Sequence, residues 1–362
     1  MQSILGLDIG GANTKACLLN LNKGKVVESK DYSKYHEVWK NSQGLSEILE
    51  ELKNLFFMDK EKANEGNLTS KKGIALTMTA ELCDTFLSKT EGVLSIIEMT
   101  EQIFGDIPLY IWTTQGSFAS PAQIRKAPLQ AAAANWLASA AALSRSPKLG
   151  SGSFLLIDMG STTTDIIPII RGKVMARGRT DTERLATGEL VYSGLLRTAV
   201  NCLTDHIYID GIQTRVVNEY FAISADVYRL LELISEADYD VPTPDGGGKD
   251  PESCARRLAR AVASDLEELG MEKVQRIARY FQEKQINIIT EGILQNISRK
   301  DLSSLYTFVT TGQGTFILQE VARRLSCSTI SWWEIVPGAK SQQVMTAYCA
   351  AWLLVGDLAI RD

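Results

Sequence analysis

Leu5-Gly-Leu-Asp-Ile-Gly-Gly-Ala-Asn-Thr-Lys-Ala-Cys-Leu18 and Leu155-Leu-Ile-Asp-Met-Gly-Ser-Thr-Thr-Thr-Asp-Ile-Ile-Pro168 are near copies of each other, about 150 residues apart. Each reads as an apolar strand, then Asp-x-Gly, then a turn of small and hydroxylated residues, then a second β-prone run. Such a turn can cradle phosphate. Glycine lets the backbone come close to an anion, and successive N–H groups point at its oxygens. The cradle residues are Gly10, Gly11, Asn13 and Thr14 in the first copy, and Gly160, Ser161, Thr162 and Thr163 in the second. The strand-end aspartates, Asp8 and Asp158, can hold a cation that bridges phosphates, directly or through water. One Asp-x-Gly-Gly turn would be ordinary hairpin chemistry. Two at matched positions point to phosphate binding. A unit duplicated once implies two related halves rather than a solenoid, each placing its hairpin at a shared cleft.

A third element fits that geometry. Residues 305–318 read as a buried strand, then Gly312-Gln313-Gly314, then the start of a helix running through Glu320. A glycine turn that opens a helix presents free N–H groups and the positive end of the helix dipole. Beside the other two loops, it is expected to contact a nucleotide or a diphosphate.

The chain has 362 residues, enough for two domains with full cores. Apolar content of 45% and charged content of 22% are those of a soluble globular protein. The 38 basic and 43 acidic residues leave a net charge of −5, so nucleic acid is not an expected partner. No apolar run reaches the length of a membrane span, and residues 346–360 are interrupted by Gly356 and Asp357. The sequence enters a strand at once, with no signal peptide expected. The six cysteines, at 17, 83, 202, 254, 327 and 349, form no C-x-x-C pair. Reduced, buried thiols in a cytoplasmic protein are expected rather than a zinc site. Small molecules are the expected partners, and self-association into a homo-oligomer is left open.

Residues 1–150 form the first expected lobe, with strands over 2–31, helices at 43–56, 93–104 and 128–144, and strands at 73–78 and 108–113. Lys60–Lys72 reads as a polar surface loop, and Lys148–Gly152 as a linker. The second lobe, 151–340, opens with strands at 153–158, 163–170 and 173–179 and a helix over 188–199. A largely helical insertion spans about 218–300. A C-terminal helix, about 341–357 within the segment 341–362, is expected to return to the first lobe. Helices alternating with clustered strands indicate α/β layers.

A strand–Asp-x-Gly turn, repeated and followed by a Gly-x-Gly turn, resembles the actin, hexokinase and heat-shock-ATPase superfamily. The implied fold is α/β: two RNase H-like lobes with a helical insertion. Asp158-Met-Gly-Ser-Thr-Thr-Thr-Asp165 is similar to the hydantoinase/oxoprolinase branch. Met78-Thr-Ala-Glu-Leu-Cys-Asp84, Ala132-Ala-Ala-Asn-Trp136, Thr187-Gly-Glu-Leu-Val-Tyr192 and Arg256-Arg-Leu-Ala-Arg260 resemble signatures of one smaller family. That family occurs in methanogenic archaea and methylotrophic bacteria and is linked to tetrahydromethanopterin-dependent one-carbon metabolism. Its archaeal members belong to methanofuran biosynthesis. The resemblance implies a transferase that joins 5-(aminomethyl)-3-furanmethanol diphosphate to γ-glutamyltyramine and releases diphosphate.

That chemistry can be set against the residues. The furan delocalises positive charge as the leaving group departs, so stabilising diphosphate is the protein's main task. Two phosphate turns, Mg2+ or another divalent cation on Asp8 or Asp158, and Lys15 suit it. ATP is not expected to be required. The phenol, with an unperturbed pKa near ~10, is helped by a base; candidates are Glu81, Asp84 and Asp165. Asn135 and Trp136 either line the cleft or pack against a neighbouring helix. Arg256, Arg257 and Arg260 are either a solvated helix face or an anion clamp for substrate. Competing expectations are an ATP-dependent kinase, an ATP-dependent amide hydrolase like oxoprolinase, and a nucleotide-switched regulator.

Overall fold

The structure, a computed structural model, describes residues 2–41, 43–57, 72–146, 148–149, 152–302, 307–336 and 344–361. The chain divides into two compact units. One is Met1–Gly152 with Arg171–Val174 and Trp332–Asp362; the other is Ser153–Ile170 with Met175–Ser331.

The first unit begins with an antiparallel meander, β1 (Gln2–Ile9), β2 (Asn13–Asn22) and β3 (Lys25–Tyr35). Then come α1 (Gln43–Phe57), β4 (Lys72–Met78), α2 (Lys89–Phe104), β5 (Leu109–Trp112), β6 (Phe118–Ala119), α3 (Pro121–Lys126) and α4 (Asn135–Ser144). The sheet order is β3-β2-β1-β4-β5-β6, with β4 parallel to both β1 and β5. Alternation along the strands sorts the two faces. Leu5, Leu7 and Ile9 of β1 turn with Ile74, Leu76 and Met78 of β4 onto Leu45 and Leu49 of α1 and Val93 and Ile97 of α2. Each such side chain, fully buried, contributes about 1.5–3 kcal/mol.

The second unit repeats the plan. The hairpin β7 (Phe154–Met159) and β8 (Thr164–Ile170) opens it; β9 (Lys173–Val174) belongs to the first unit. Next are α5 (Asp181–Thr187), β10 (Leu190–Val191) and a separate hairpin, β11 (His206–Ile209) with β12 (Ile212–Arg215). Four helices follow: α6 (Ser224–Leu230), α7 (Pro251–Arg260), α8 (Leu266–Leu269) and α9 (Met271–Ile297). β13 (Thr307–Thr311), α10 (Thr315–Arg324) and β14 (Ser328–Ser331) close the unit. The sheet order β10-β8-β7-β13-β14, an antiparallel hairpin flanked by two parallel strands, matches β3-β2-β1-β4-β5. The sequence repeat is therefore a repeat of topology. The chain then returns to the first unit as α11 (Trp332–Ile335) and α12 (Met345–Arg361), which packs on β1, β2, β4 and α4.

Several expectations change. The helix expected at 128–144 begins only at Asn135, because Pro128–Gln130 is one 3-10 turn and Ala133 has a φ of 46°. No helix spans 188–199. Gly188 ends α5 in the left-handed region, Leu190–Val191 pairs with β8, and the residues beyond are held by hydrogen bonds described below. The strand expected over 173–179 is only Lys173–Val174. Return to the first unit comes at Trp332 rather than 341. The polar stretch Lys60–Lys72 lies outside the described residues except for Lys72, as do positions 341–343 of the final segment. None of the six cysteines forms a disulfide among the described residues, and Cys202 is exposed. Among the described residues, no helix is long and apolar enough to cross a membrane.

Candidate functional site

The two hairpin turns have the same register. Asp8 pairs with Lys15 and Ile9 with Thr14 across β1 and β2; Asp158 pairs with Asp165 and Met159 with Thr164 across β7 and β8. Gly10 N donates to Asn13 O at 2.9 Å, and Gly160 N to Thr163 O at 2.9 Å. Each turn is also held from behind. In the first, Val38 N donates to Gly11 O and His36 N to Ala12 O, both at 3.0 Å. In the second, Leu195 N donates to Gly160 O at 2.9 Å, and Leu196 N and Arg197 N both donate to Ser161 O at 3.0 and 2.9 Å. A trans peptide sets its N–H opposite its C=O. Anchoring these carbonyls therefore turns the N–H groups of Ala12 and Asn13, and of Ser161 and Thr162, the other way. Consecutive N–H groups so aimed form an anion-binding concavity.

Asp8 closes the first turn. It is 4% exposed. Its Oδ2 accepts a hydrogen bond from Thr346 Oγ1 of α12, and its Oδ1 makes no hydrogen bond among the described residues. Burial pushes its carboxyl above the usual carboxylate range, against the opposing pull of Lys15 and the Thr346 hydroxyl. Thr77 stands beside it in the β1–β4 register, wholly buried, its hydroxyl likewise without a hydrogen bond among the described residues. A buried carboxylate with one oxygen unsatisfied fits a hard cation that takes most of its other ligands from phosphate and water. The described residues contain no cluster of three or more His, Cys, Asp or Glu that could hold a metal by itself.

Asp158 is joined by the third turn. Gly312 has a φ of +88°, and a Cβ there would lie 2.3 Å from Met159 O and 2.5 Å from Asp158 Oδ1. Only glycine permits that approach. Gly314 N donates to Met159 O at 3.0 Å, and Thr315 Oγ1 to Gly312 O at 2.6 Å. α10 then starts with no side-chain cap, leaving its first N–H groups and dipole end available beside the second turn. Gln313 is exposed.

The remaining candidates separate. Lys15, half-buried, faces Asp8 across the hairpin. Glu81 is 1% exposed within a 3-10 turn, Ala80–Leu82. The segment carrying it lies against the first turn. Thr79 N donates to Ile9 O at 2.9 Å, and a Cβ on Gly11 would be 3.0 Å from Cys83 Sγ. Asp165 is committed elsewhere: Arg184, 2% exposed, donates to it at 2.6 Å and to Glu189 O at 3.0 Å. Asn135 caps locally, its Oδ1 accepting from Trp136 N at 2.8 Å, and Trp136 is buried. Arg256 is exposed and paired with Glu252. The substrate clamp expected at Arg257 is corrected. Its side chain is wholly buried and bound to Asp226 at 2.7 and 2.9 Å and to Asp245 at 3.0 Å. A wholly buried guanidinium committed to two carboxylates holds the protein together.

Sequence reasoning missed three contributors: the Ser193–Thr198 loop behind the second turn, and Thr77 and Thr346 beside Asp8. For the loop a signal existed in Ser193-Gly-Leu-Leu-Arg-Thr198, a glycine flanked by hydroxyls.

The sequence profile of the hydantoinase/oxoprolinase family matches residues 72–351. A protein of Methanocaldococcus jannaschii is 37% identical over 317 residues, 88% of each chain. It is a (4-{4-[2-(gamma-L-glutamylamino)ethyl]phenoxymethyl}furan-2-yl)methanamine synthase. A protein of the same name from Methanococcus vannielii is 39% identical over 48% of this chain and 77% of its own. Among solved structures, nucleotide-free acetone carboxylase is 10% identical and gives a TM-score of 0.56, over 96% of this chain and 70% of that one. At such identity the likeness concerns the fold alone: two RNase H-like lobes of the actin, hexokinase and heat-shock-ATPase type.

Proposed function

The chain belongs to the hydantoinase/oxoprolinase family, in the group that contains the Methanocaldococcus synthase, and on that premise we propose that it condenses a furanmethyl diphosphate with a γ-glutamylated tyramine in methanofuran biosynthesis. The relative's name spells the product: a phenoxymethyl ether joining an aminomethylfuran to γ-glutamylaminoethylbenzene. The bond that defines such a product is the aryl ether. In the reaction the phenol oxygen bonds to the furanyl methylene, the methylene–oxygen bond to diphosphate breaks, and the phenol proton passes to a base. The donor is 5-(aminomethyl)-3-furanmethanol diphosphate and the acceptor γ-glutamyltyramine.

What supports this reading on the protein's side is the duplicated turn with its consecutive outward N–H groups. A leaving diphosphate gains charge, and preorganised N–H donors stabilise it most where charge develops. Lys15 adds a cation at the first turn. A divalent cation, magnesium or its equivalent, would rest on the unsatisfied Oδ1 of Asp8 or on Asp158, and would supply charge neutralisation to the phosphates. With Asp165 engaged by Arg184, the base is assigned to Glu81, whose segment seats against the first turn. Because the donor arrives activated, nucleotide hydrolysis has no part in the reaction.

The test is incubation of the pure protein with both substrates, followed by product mass and diphosphate release. Product should form without ATP, disappear on chelation and return with magnesium. Product that appears only with ATP, in step with ADP, would reject the reading in favour of an ATP-dependent enzyme.

A further inference from the structure

We propose that Gln285, midway along α9, is a positioning residue for the second turn: acting through Ser193 and Gly194, it fixes the direction of the Ser161 and Thr162 N–H groups. The proposal rests on the reading of that turn as a diphosphate site.

Gln285 is 1% exposed, an amide in a cluster of buried polar groups at the edge of the apolar core. Its Nε2 donates to Gly194 O at 2.7 Å and to Ser193 Oγ at 2.9 Å, reaching back more than ninety positions in sequence. Its Oε1 accepts from the buried Tyr228 hydroxyl at 2.6 Å. That bond sets the amide's orientation, since Gly194 O can only accept. Gly194 O also receives Ser224 Oγ and Thr198 Oγ1, each at 3.1 Å, and Gly194 N donates to Thr198 Oγ1 at 2.9 Å. Thr164, the first residue of β8, donates from Oγ1 to Ser193 O at 2.7 Å.

Gly194 lies flat against the turn. A Cβ there would sit 2.5 Å from the backbone N and C of Thr162. The next three N–H groups, of Leu195, Leu196 and Arg197, are those that hold Gly160 O and Ser161 O. Force therefore passes from Gln285 to Gly194, from Gly194 to its three successors, and from them to the two anchored peptides. Tyr228 also packs edge-on against Phe316 in the first turn of α10, with ring centroids 5.6 Å apart. The helical insertion thus supports the second turn and the helix that begins at the third. A buried amide with both donors and its oxygen engaged specifies one arrangement of the loop, where an apolar side chain would leave several.

A purely structural role and a positioning role differ in what they change. Gln285→Met keeps the volume and removes the hydrogen bonds. Tyr228→Phe removes the donor that orients the amide. Tyr239→Phe is the control, because its buried hydroxyl donates to Asp226 Oδ1 at 3.0 Å, in the same core but off the path to Gly194. Binding of inorganic diphosphate with magnesium is measured by calorimetry, beside kcat and both KM values. Gln285→Met should weaken diphosphate binding about tenfold to a hundredfold, the scale of a lost hydrogen bond to a charged group, and leave the acceptor KM unchanged. Tyr228→Phe should shift it the same way by less, and decides the matter if Gln285→Met does not fold. Tyr239→Phe should bind diphosphate as wild type does despite a comparable loss of thermal stability. Wild-type affinity in both Gln285→Met and Tyr228→Phe, or equal loss in Tyr239→Phe, overturns the brace while the site stands. Wild-type protein that takes up no diphosphate overturns the site reading itself, and the brace with it.

Discussion

Thr346→Val should move the acid limb of the pH profile. The substitution keeps the shape of a side chain that is 8% exposed and removes the only hydrogen bond that the Asp8 carboxylate receives among the described residues. A hydrogen bond to an ionised group contributes roughly 1.5–3 kcal/mol. Its loss therefore raises the carboxyl's pKa further. The direction follows from the site. Burial already holds Asp8 above its ordinary value, and the Thr346 hydroxyl opposes burial. Since the folded pKa exceeds the unfolded one, the folded state binds the extra proton between them, and stability falls as pH rises through the folded value. Thr346→Val extends that window upward. Cation binding needs the ionised form, so the acid limb of kcat/KM should shift to higher pH and converge on wild type above it. The assay is diphosphate release across pH at saturating magnesium, with circular dichroism to confirm folding. A folded variant whose acid limb coincides with that of wild type would refute both the role of Thr346 and the ionised state assigned to Asp8.

Two further outcomes are expected. Gly312→Ala should lose about 2–4 kcal/mol in denaturant unfolding, from a left-handed backbone and a Cβ driven into Met159 O. Gly314→Ala should lose much less, since its Cβ meets the flexible Met159 side chain; equal losses would contradict this. Arg257→Leu should cost about 3–5 kcal/mol by stranding buried Asp226, and leave both KM values intact. Asp226, already raised by burial with Arg257 opposing, would rise further, so the loss should shrink as pH falls through its new pKa. Melting at pH 5 and pH 8 separates these cases.

The fold was legible because its two halves repeat a local signal: an alternating strand, Asp-x-Gly, and a hydroxylated turn. Register and sheet order follow from that signal once helices cover both faces. The site was legible where function resides in the turn itself, as at Gly10–Thr14 and Gly160–Thr163. It was not legible where a residue's work depends on a distant partner. Arg256 and Arg257 are adjacent in sequence, and nothing local says which meets Asp226 thirty-one positions earlier. Residues 188–199 have helical apolar spacing, but tertiary hydrogen bonds to the second turn outweigh that propensity. Asp165 reads as a free base until Arg184 is placed beside it.

The discontinuity of the first unit has a consequence for how the protein is made. Thr346 follows Asp8 by 338 residues. At synthesis rates of about 5–20 residues per second, roughly 20–70 s separate their emergence from the ribosome. In that interval 153–331, which carries the whole of the second unit, can fold to completion. The face of the first sheet that α12 will cover, including Ile4, Leu19 and Ala75, has nothing from α12 to bury it. The last helix to arrive both seals that surface and delivers the hydroxyl that Asp8 requires. Protection from aggregation and assembly of the cation site are thus one event, and a nascent chain does not acquire one without the other.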